Sequence, residues 1–150
     1  MLVPKPKKAR GDLKTGGYIL CCDEEEFVGK VGVCEGVEDA CSVPDVYDMP
    51  AVAAVSAAGV KNIVLPEYVT EPVFLPDNDP AMRYGSGPKA GELILNRDGK
   101  PQYAGPDAAA AAVARLKPNH PGARVHKVSG PTGKEKDVNA VLLAERGIGA

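Results

Sequence analysis

One segment, Ala51-Val-Ala-Ala-Val55, is apolar at every position and constrains the fold more than any other part of the chain. It does not alternate apolar with polar residues, so a strand here is buried on both faces, as in a parallel sheet covered by helices. Shorter apolar runs lie on either side of it, at residues 31–34 and 73–75. Helical patterns separate these runs. The repeated order of strand, helix and strand predicts an α/β fold.

The remaining elements follow from periodicity, glycine and proline. An Asp-Gly pair between two β-prone runs predicts a hairpin at about 92–103. The predicted strands are 18–22, 31–35, 51–55, 73–75 and 124–128, with helices at 36–46, 61–65, 107–116 and 138–146 and a turn at 56–59.

Carboxylates follow two of the predicted strands. Glu35 ends the first apolar run, and Asp77 and Asp79 come just after the third. The carboxyl ends of parallel strands meet at one edge of a sheet, where ligands bind. Side chains two apart in extended backbone point the same way, and Mg²⁺ prefers such oxygen ligands. The alternative is a plain turn, since Asp77-Asn-Asp-Pro80 is also good turn chemistry.

Composition limits the classes of protein. At 150 residues the chain fits one domain, and its net charge of −2 argues against a nonspecific nucleic-acid coat, which would be strongly basic. Neither a membrane span of about 20 apolar residues nor a signal peptide is recognisable, so we expect a cytoplasmic protein with no membrane partner. Residues 1–15 are rich in Lys and Pro and predict a flexible basic arm before a domain at 16–150.

The cysteines and histidines do not indicate a metal site. The four cysteines lack paired spacing and a nearby histidine, so we interpret them as free, buried thiols, with Cys34 in a strand and Cys41 on the inner face of a helix. We interpret His120 and His126 as structural or surface residues because neither has a nucleophile beside it.

The string Val33-Cys-Glu-Gly-Val-Glu-Asp-Ala-Cys-Ser-Val43, with Asp77-Asn-Asp-Pro80 downstream, resembles the Toprim domain of primases, topoisomerases and several nucleases. It is most similar to the Toprim domains of phage and plasmid primase-helicase proteins. Those domains place a Glu-Gly-x-x-(Asp/Glu)-Ala-x-Ser element before an Ala-rich strand, a Ser-Ala-x-Gly turn and an Asp-x-Asp-x-Ala element, and end with Lys-Asp-x-Asn. The corresponding residues here are 56–59 and 136–139.

This resemblance implies a compact, Rossmann-like Toprim fold with about four parallel strands and helices on both faces. It also implies that Glu35 is the general acid or base at the reacting oxygen, or a ligand of a second ion. Asp77 and Asp79 would hold Mg²⁺ or Mn²⁺. Such a site suits phosphoryl transfer, in which the metal positions oxygens and neutralises developing charge.

Four further residues receive supporting roles from the same resemblance. Gly36 lacks a Cβ and would let the backbone approach a phosphate at the start of a helix. Asp39, one turn into that helix, would either support the metal edge or simply cap the helix. Lys136 and Asp137 would contact phosphate and metal-bound water, or form a solvated turn.

The chain departs from the family pattern at residues 82–105, an insert beside the proposed metal. A long insert of this kind is commonly functional or disordered. Its basic residues either grip nucleic acid or nucleotide or belong to a passive surface hairpin; they are Arg83, Lys89, Arg97 and Lys100.

Three functions remain open at this point. The first is a DNA primase module that joins nucleotides on single-stranded DNA or RNA in phage or plasmid replication, although the chain has no zinc module and no GxxxxGK[ST] loop. The second is a Toprim nuclease, and the third is a noncatalytic protein that binds nucleic acid or a replication partner. Partners would be a nucleic-acid strand, nucleotides and a helicase or other replication protein. A topoisomerase is disfavoured because no tyrosine stands in a recognisable context.

Overall fold

A six-stranded sheet with helices on both faces forms the body of the computed structural model, which describes residues 8–13 and 15–148. The strand order is β1-β2-β4-β3-β5-β6; strands β4, β3, β5 and β6 are parallel, and β2 pairs antiparallel with both β4 and β1. The α/β prediction and the expected four parallel strands are thus confirmed. The strands are β1 (Lys8–Arg10), β2 (Tyr18–Leu20), β3 (Lys30–Cys34), β4 (Ala51–Ala53), β5 (Glu71–Phe74) and β6 (Arg124–Val125). The helices are α1 (Val37–Tyr47), α2 (Ala57–Asn62), α3 (Ala104–Leu116) and α4 (Val138–Glu145), with a short 3₁₀ turn at Glu24–Glu26.

The core has two layers, one on each face of the sheet. Helices α2 and α3 cover the layer that contains Val33 and Phe74, and α1 and α4 cover the layer that contains Cys34 and Leu75. Neighbouring strand residues alternate between the layers, as side chains of a strand must. At Gly32 a Cβ would lie 2.9 Å from the Val43 side chain, so glycine lets α1 pack closely on β3.

Helix α2 lies earlier than predicted. The predicted turn at 56–59 is the cap and first turn of the helix, because the Ser56 hydroxyl accepts a 2.9 Å hydrogen bond from the Gly59 N–H. A Cβ on Gly59 would lie 2.0 Å from the Ala54 carbonyl oxygen, so glycine is required where the helix leaves β4. The predicted helix at 61–65 is wrong, since the helix ends at Asn62.

Helix α3 also begins earlier than predicted, at Ala104 rather than Asp107. The Asp107 carboxylate accepts a 2.8 Å hydrogen bond from the Tyr103 N–H, so it closes the first turn from inside the helix. The last strand, predicted to reach residue 128, is confined to Arg124–Val125.

One residue on the inner face of α1 was predicted wrongly. Val37, Ala40 and Tyr47 do pack in or against the core, but Cys41, expected on the same face, is exposed. The helix buries Asp39, Ser42 and Val43 as well. The polar members of this set face α4 and bond to it, which apolar periodicity does not reveal.

The other cysteines and the histidines agree better with expectation. Cys34 is buried, and Cys21 and Cys22 are half-buried thiols. The His120 ring is buried, with Nδ1 2.6 Å from the Val69 carbonyl oxygen, and the exposed His126 meets Tyr47 edge-on. Both histidines are structural or surface residues, as predicted.

The insert forms the predicted hairpin and one additional segment. Leu95 pairs with Pro101 across the turn at Gly99, and Arg83 pairs with Leu93 to add a third extended piece. Part of the predicted amino-terminal arm, residues 8–10, is instead the edge strand β1, while residues 1–7 of that arm lie outside the described residues. In the described part of the chain, no helix has the length and apolar character to cross a membrane.

Candidate active site at the carboxyl edge of the sheet

Strands β3 and β5 and the beginnings of α1 and α4 meet at the carboxyl edge of the parallel sheet. Glu35 directly follows β3, and Asp77 lies three residues after the end of β5. Gly36 is the N-cap of α1, and Asp137 caps α4 by accepting a 2.8 Å hydrogen bond from the Ala140 N–H. The acidic residues that the sequence predicts for this site therefore lie after two strands and at the start of two helices. Asp79 is the exception, because it lies further along the loop after Asp77.

Asn139 joins the two helices beside this edge. Its backbone N–H donates a 3.0 Å hydrogen bond to the Asp39 carboxylate, and its side-chain oxygen accepts a 3.1 Å bond from the Ser42 hydroxyl. Asp39 and Ser42 are three apart in α1 and therefore lie on the same helix face. The contact fixes the carboxylate of Asp39, a residue that is only 8% exposed, at the junction of α1 and α4.

Asn78 holds the loop after β5 against the segment that leads into α4. Its side-chain amide donates to the carbonyl oxygens of Val128, at 2.8 Å, and Glu135, at 3.1 Å, while its backbone N–H donates to the Lys136 carbonyl oxygen. This bridge brings the loop that contains Asp77 next to the start of α4.

Asp77 is the most strongly perturbed acid at this edge. Partial burial is the main cause that raises its pKa to about 7, followed by the negative charges of Asp39 and Asp137 and, with smaller effects, those of Asp79 and Glu35. Burial and the neighbouring carboxylates together favour the protonated form of Asp77.

The pKa of Asp39, at the junction of α1 and α4, is also raised. Its pKa is raised to about 6, mainly by burial; the hydrogen bond from the Asn139 N–H opposes the shift, and the negative charges of Asp137 and Glu38 add to it. A hydrogen bond between the side chains of Asp39 and Asp137 favours the protonated form of Asp39.

The remaining predicted site residues lie at the margin of this cluster. Glu35 is half-buried and lines a small apolar crevice between β3, β5 and the start of α3. Asp79 and the Lys136 side chain are exposed. A Cβ at Gly36 would come 2.9 Å from the Asp39 carboxylate, so the missing Cβ leaves room for that acid.

The donors at this edge suit a hard cation by their chemistry. Mg²⁺ is held through one or two carboxylates and fills its other positions with water or phosphate oxygens. Within the described ranges, no three His, Cys, Asp or Glu side chains are gathered closely enough to hold a metal ion together. The edge thus offers hard oxygen donors from several carboxylates, but the described side chains do not form a closed metal cage.

Sequence reasoning underweighted three residues that build this edge. In the sequence, Asn78 belongs to a turn pattern, and Ser42 and Asn139 are motif positions with no predicted role. The sequence spacing of Ser42 and Asn139 could have indicated their place in the site. Ser42 follows Asp39 by one helical turn, and Asn139 follows the helix cap Asp137 by two residues.

The chain belongs to the Toprim domain family, whose family model matches residues 30–147. Among solved structures, it is similar to a DNA primase domain from Pseudomonas aeruginosa, with a TM-score of 0.50 and 21% sequence identity. The match covers 88% of this chain and 35% of that one, so the chain spans about a third of the primase domain's length, and the likeness concerns the fold. A search of curated protein sequences found no match.

Proposed function

We propose that the chain is the catalytic Toprim module of a DNA primase and performs nucleotidyl transfer with Mg²⁺ or Mn²⁺ on a single-stranded template. The observation that carries this proposal is the electrostatic coupling of Asp77 to Asp39 and Asp137 at the sheet edge. Carboxylates that repel one another favour a bound divalent cation, since the cation removes the repulsion. The similarity of the fold to a DNA primase domain supports the same choice.

In this proposal Asp77 and Asp79 hold the metal ion, and Glu35 takes the proton from the attacking hydroxyl group or binds a second ion. The hydroxyl oxygen bonds to the α-phosphorus of a nucleotide, and pyrophosphate leaves. A bound metal ion would position the phosphate oxygens and neutralise their developing charge. The protein contributes mainly by positioning these groups.

The neighbouring residues have supporting roles. Asp39 and Asp137 fix the first turns of α1 and α4 through their bonds to the Asn139 and Ala140 N–H groups. The exposed Lys136 ammonium contacts phosphate, and the backbone at Gly36, the N-cap of α1, approaches a phosphate oxygen. The partners are single-stranded DNA or RNA, nucleotides and a helicase or other replication protein.

The test is to incubate the purified chain with labelled single-stranded template, nucleotides and Mg²⁺ or Mn²⁺ and to follow extension and cleavage together. We expect extension that Asp77→Asn and Glu35→Gln abolish. Shortening of the template would assign the same site to hydrolysis, as in a nuclease. Activity that survives both substitutions would overturn the site, and a lack of both activities would favour a noncatalytic binding protein.

Matched controls come from the opposite edge of the sheet. Asp48 follows the C-terminus of α1, and Glu67 lies in the loop before β5. Asp48→Asn and Glu67→Gln remove the same charges far from the acidic cluster, so both should retain full activity. Their loss of activity would indicate a general effect of charge or folding instead of a local one.

A further inference from the structure

A groove separates the insert from helices α2 and α3, and we call it the insert groove. Met82, Gln102 and Tyr103 form one wall, and the helices form the other with side chains that include Ala58, Lys61 and Ala111. Its volume is about 260 Å³, just below the lower end of the range for small-ligand sites, and it is open to solvent. The helix wall is built largely of alanine and is therefore flat.

Apolar surface is exposed along this groove. Tyr103 is 38% exposed and Met82 is 39% exposed, although both lie against the body of the protein. Flat alanine surfaces beside an exposed aromatic ring suit a planar ligand, and nucleobases stack on aromatic side chains regardless of sequence.

The groove itself is lined by one cation, Lys61, and one carboxylate, Asp107, which accepts a hydrogen bond from the Tyr103 N–H. The insert beside the groove is basic: residues 82–103 contain four basic and two acidic side chains, in a chain whose net charge is −2. Arg83 bonds to the Gly91 carbonyl oxygen and Lys89 lies over the Tyr84 ring, so these two side chains stabilise the insert itself. The exposed Lys61, on the groove wall, and the hairpin residues Arg97 and Lys100 supply further positive charge.

The insert groove lies next to the acidic edge. Helix α3 begins where the insert ends, and a Cβ on Gly105 would lie 3.6 Å from the backbone N and O of Asp77. A strand that places one phosphate at the carboxylates therefore has a neighbouring nucleotide within reach of Tyr103.

We propose that the insert groove binds a nucleobase of a single-stranded nucleic acid whose backbone passes the acidic edge. The base stacks on Tyr103 between the hairpin and the alanine wall, and Lys61 contacts a phosphate. This inference rests on the proposed function, because the reaction at the acidic edge supplies the reason for a strand to lie there.

The test measures binding of fluorescein-labelled oligothymidylate of about twelve nucleotides by fluorescence anisotropy, with the full chain in EDTA so that catalysis does not contribute. Tyr103→Leu removes the aromatic face, and Ala111→Glu places a negative charge in the groove. We expect each to weaken binding roughly tenfold. Lys61→Gln should lower the salt dependence of binding by about 0.7 in log–log slope, since one phosphate contact is lost.

The matched control is Ala110→Glu, which adds the same charge one residue away on an exposed position of α3 that does not line the groove. It should bind like the unmodified chain, and circular dichroism checks that all variants fold. Unchanged affinity in both Tyr103→Leu and Ala111→Glu would refute the proposal that the groove binds a base. So would a duplex that binds as tightly as the single strand and whose affinity does not change in Tyr103→Leu.

Two readouts separate this inference from the proposed function. Groove-dependent binding in EDTA supports the groove even if no extension or cleavage is found. The opposite result is extension that Asp77→Asn abolishes, with oligonucleotide binding unchanged in the groove variants. That result refutes base binding in the groove and supports the catalytic proposal.

Discussion

The backbone N–H of Asn139 donates a 3.0 Å hydrogen bond to the Asp39 carboxylate, joining α4 to α1 across 100 residues of sequence. The bond holds a nearly buried acid beside Asp77 and Asp137 at the edge where two strands end. A structural contact between helices thus also sets the charge of the candidate active site.

The Asp39 contact predicts different effects for two substitutions. Asp39→Ala removes the acceptor and leaves the Asn139 N–H unpaired, at a cost of about 1–3 kcal/mol in the free energy of unfolding. Asp39→Asn retains an acceptor oxygen and removes a charge that repels Asp137, so it should be clearly more stable than Asp39→Ala. Urea unfolding at pH 8 measures both, and equal destabilisation would contradict the assigned role of the hydrogen bond.

The raised acid pKa values predict how stability depends on pH. Asp77 and Asp39 have pKa values of about 7 and about 6 in the folded chain, above the value of about 4 for an exposed aspartate. The folded state therefore binds more protons than the unfolded state between these limits, and its stability falls as pH rises from about 4 to 7. Thermal unfolding in EDTA should show this slope, and Asp77→Asn should reduce it.

Magnesium should act on the same groups in the opposite direction. At pH 8 the carboxylates are charged, so a cation that binds the folded chain raises its melting temperature by mass action. We expect a rise with millimolar Mg²⁺ in the unmodified chain and a smaller one in Asp77→Asn. An equal rise in both proteins would place the ion elsewhere.

The Asn78 bridge predicts a loss of both stability and order at the acidic edge. Asn78→Ala removes two side-chain hydrogen bonds, to Val128 and Glu135, and should lower the free energy of unfolding by about 1–2 kcal/mol. Hydrogen exchange should show faster opening of residues 128–137. Asn119→Ala is a suitable control because Asn119 is exposed after α3, and it should have little effect.

The backbone conformation of Val55 predicts that its replacement by glycine stabilises the chain near the site. Its φ of 74° lies in the left-handed region, which β-branched residues rarely adopt, and its N–H bonds to the Glu35 carbonyl oxygen at 2.8 Å. Because the side chain is 46% exposed, Val55→Gly loses little burial and should raise the free energy of unfolding by about 1 kcal/mol. Asp48→Gly, at a φ of 51° that Asp tolerates better, should gain less. A melting temperature lowered by Val55→Gly would argue against strain.

The sequence by itself determined the order of strands and helices, the buried central strand and the carboxylates that follow two strands. These features depend on local pattern. Apolar runs form strands, and a residue that directly follows a parallel strand lies at the carboxyl edge of the sheet. Residues 51–53 illustrate this, since their wholly apolar pattern is that of a strand buried on both faces, and they pair with β3 inside the sheet. The hairpin at Asp98-Gly99 followed from turn chemistry in the same way.

Only the tertiary structure decided which acids are coupled. Asp39 turns inward because Asn139 reaches it from a helix that local pattern cannot position, and Asn78 bridges to a segment some fifty residues later. Burial and neighbouring charges set a pKa, and both depend on contacts between distant segments. The sequence therefore identified the edge and its carboxylates, while packing of α1 against α4 made Asp39, Asp77 and Asp137 one interacting group.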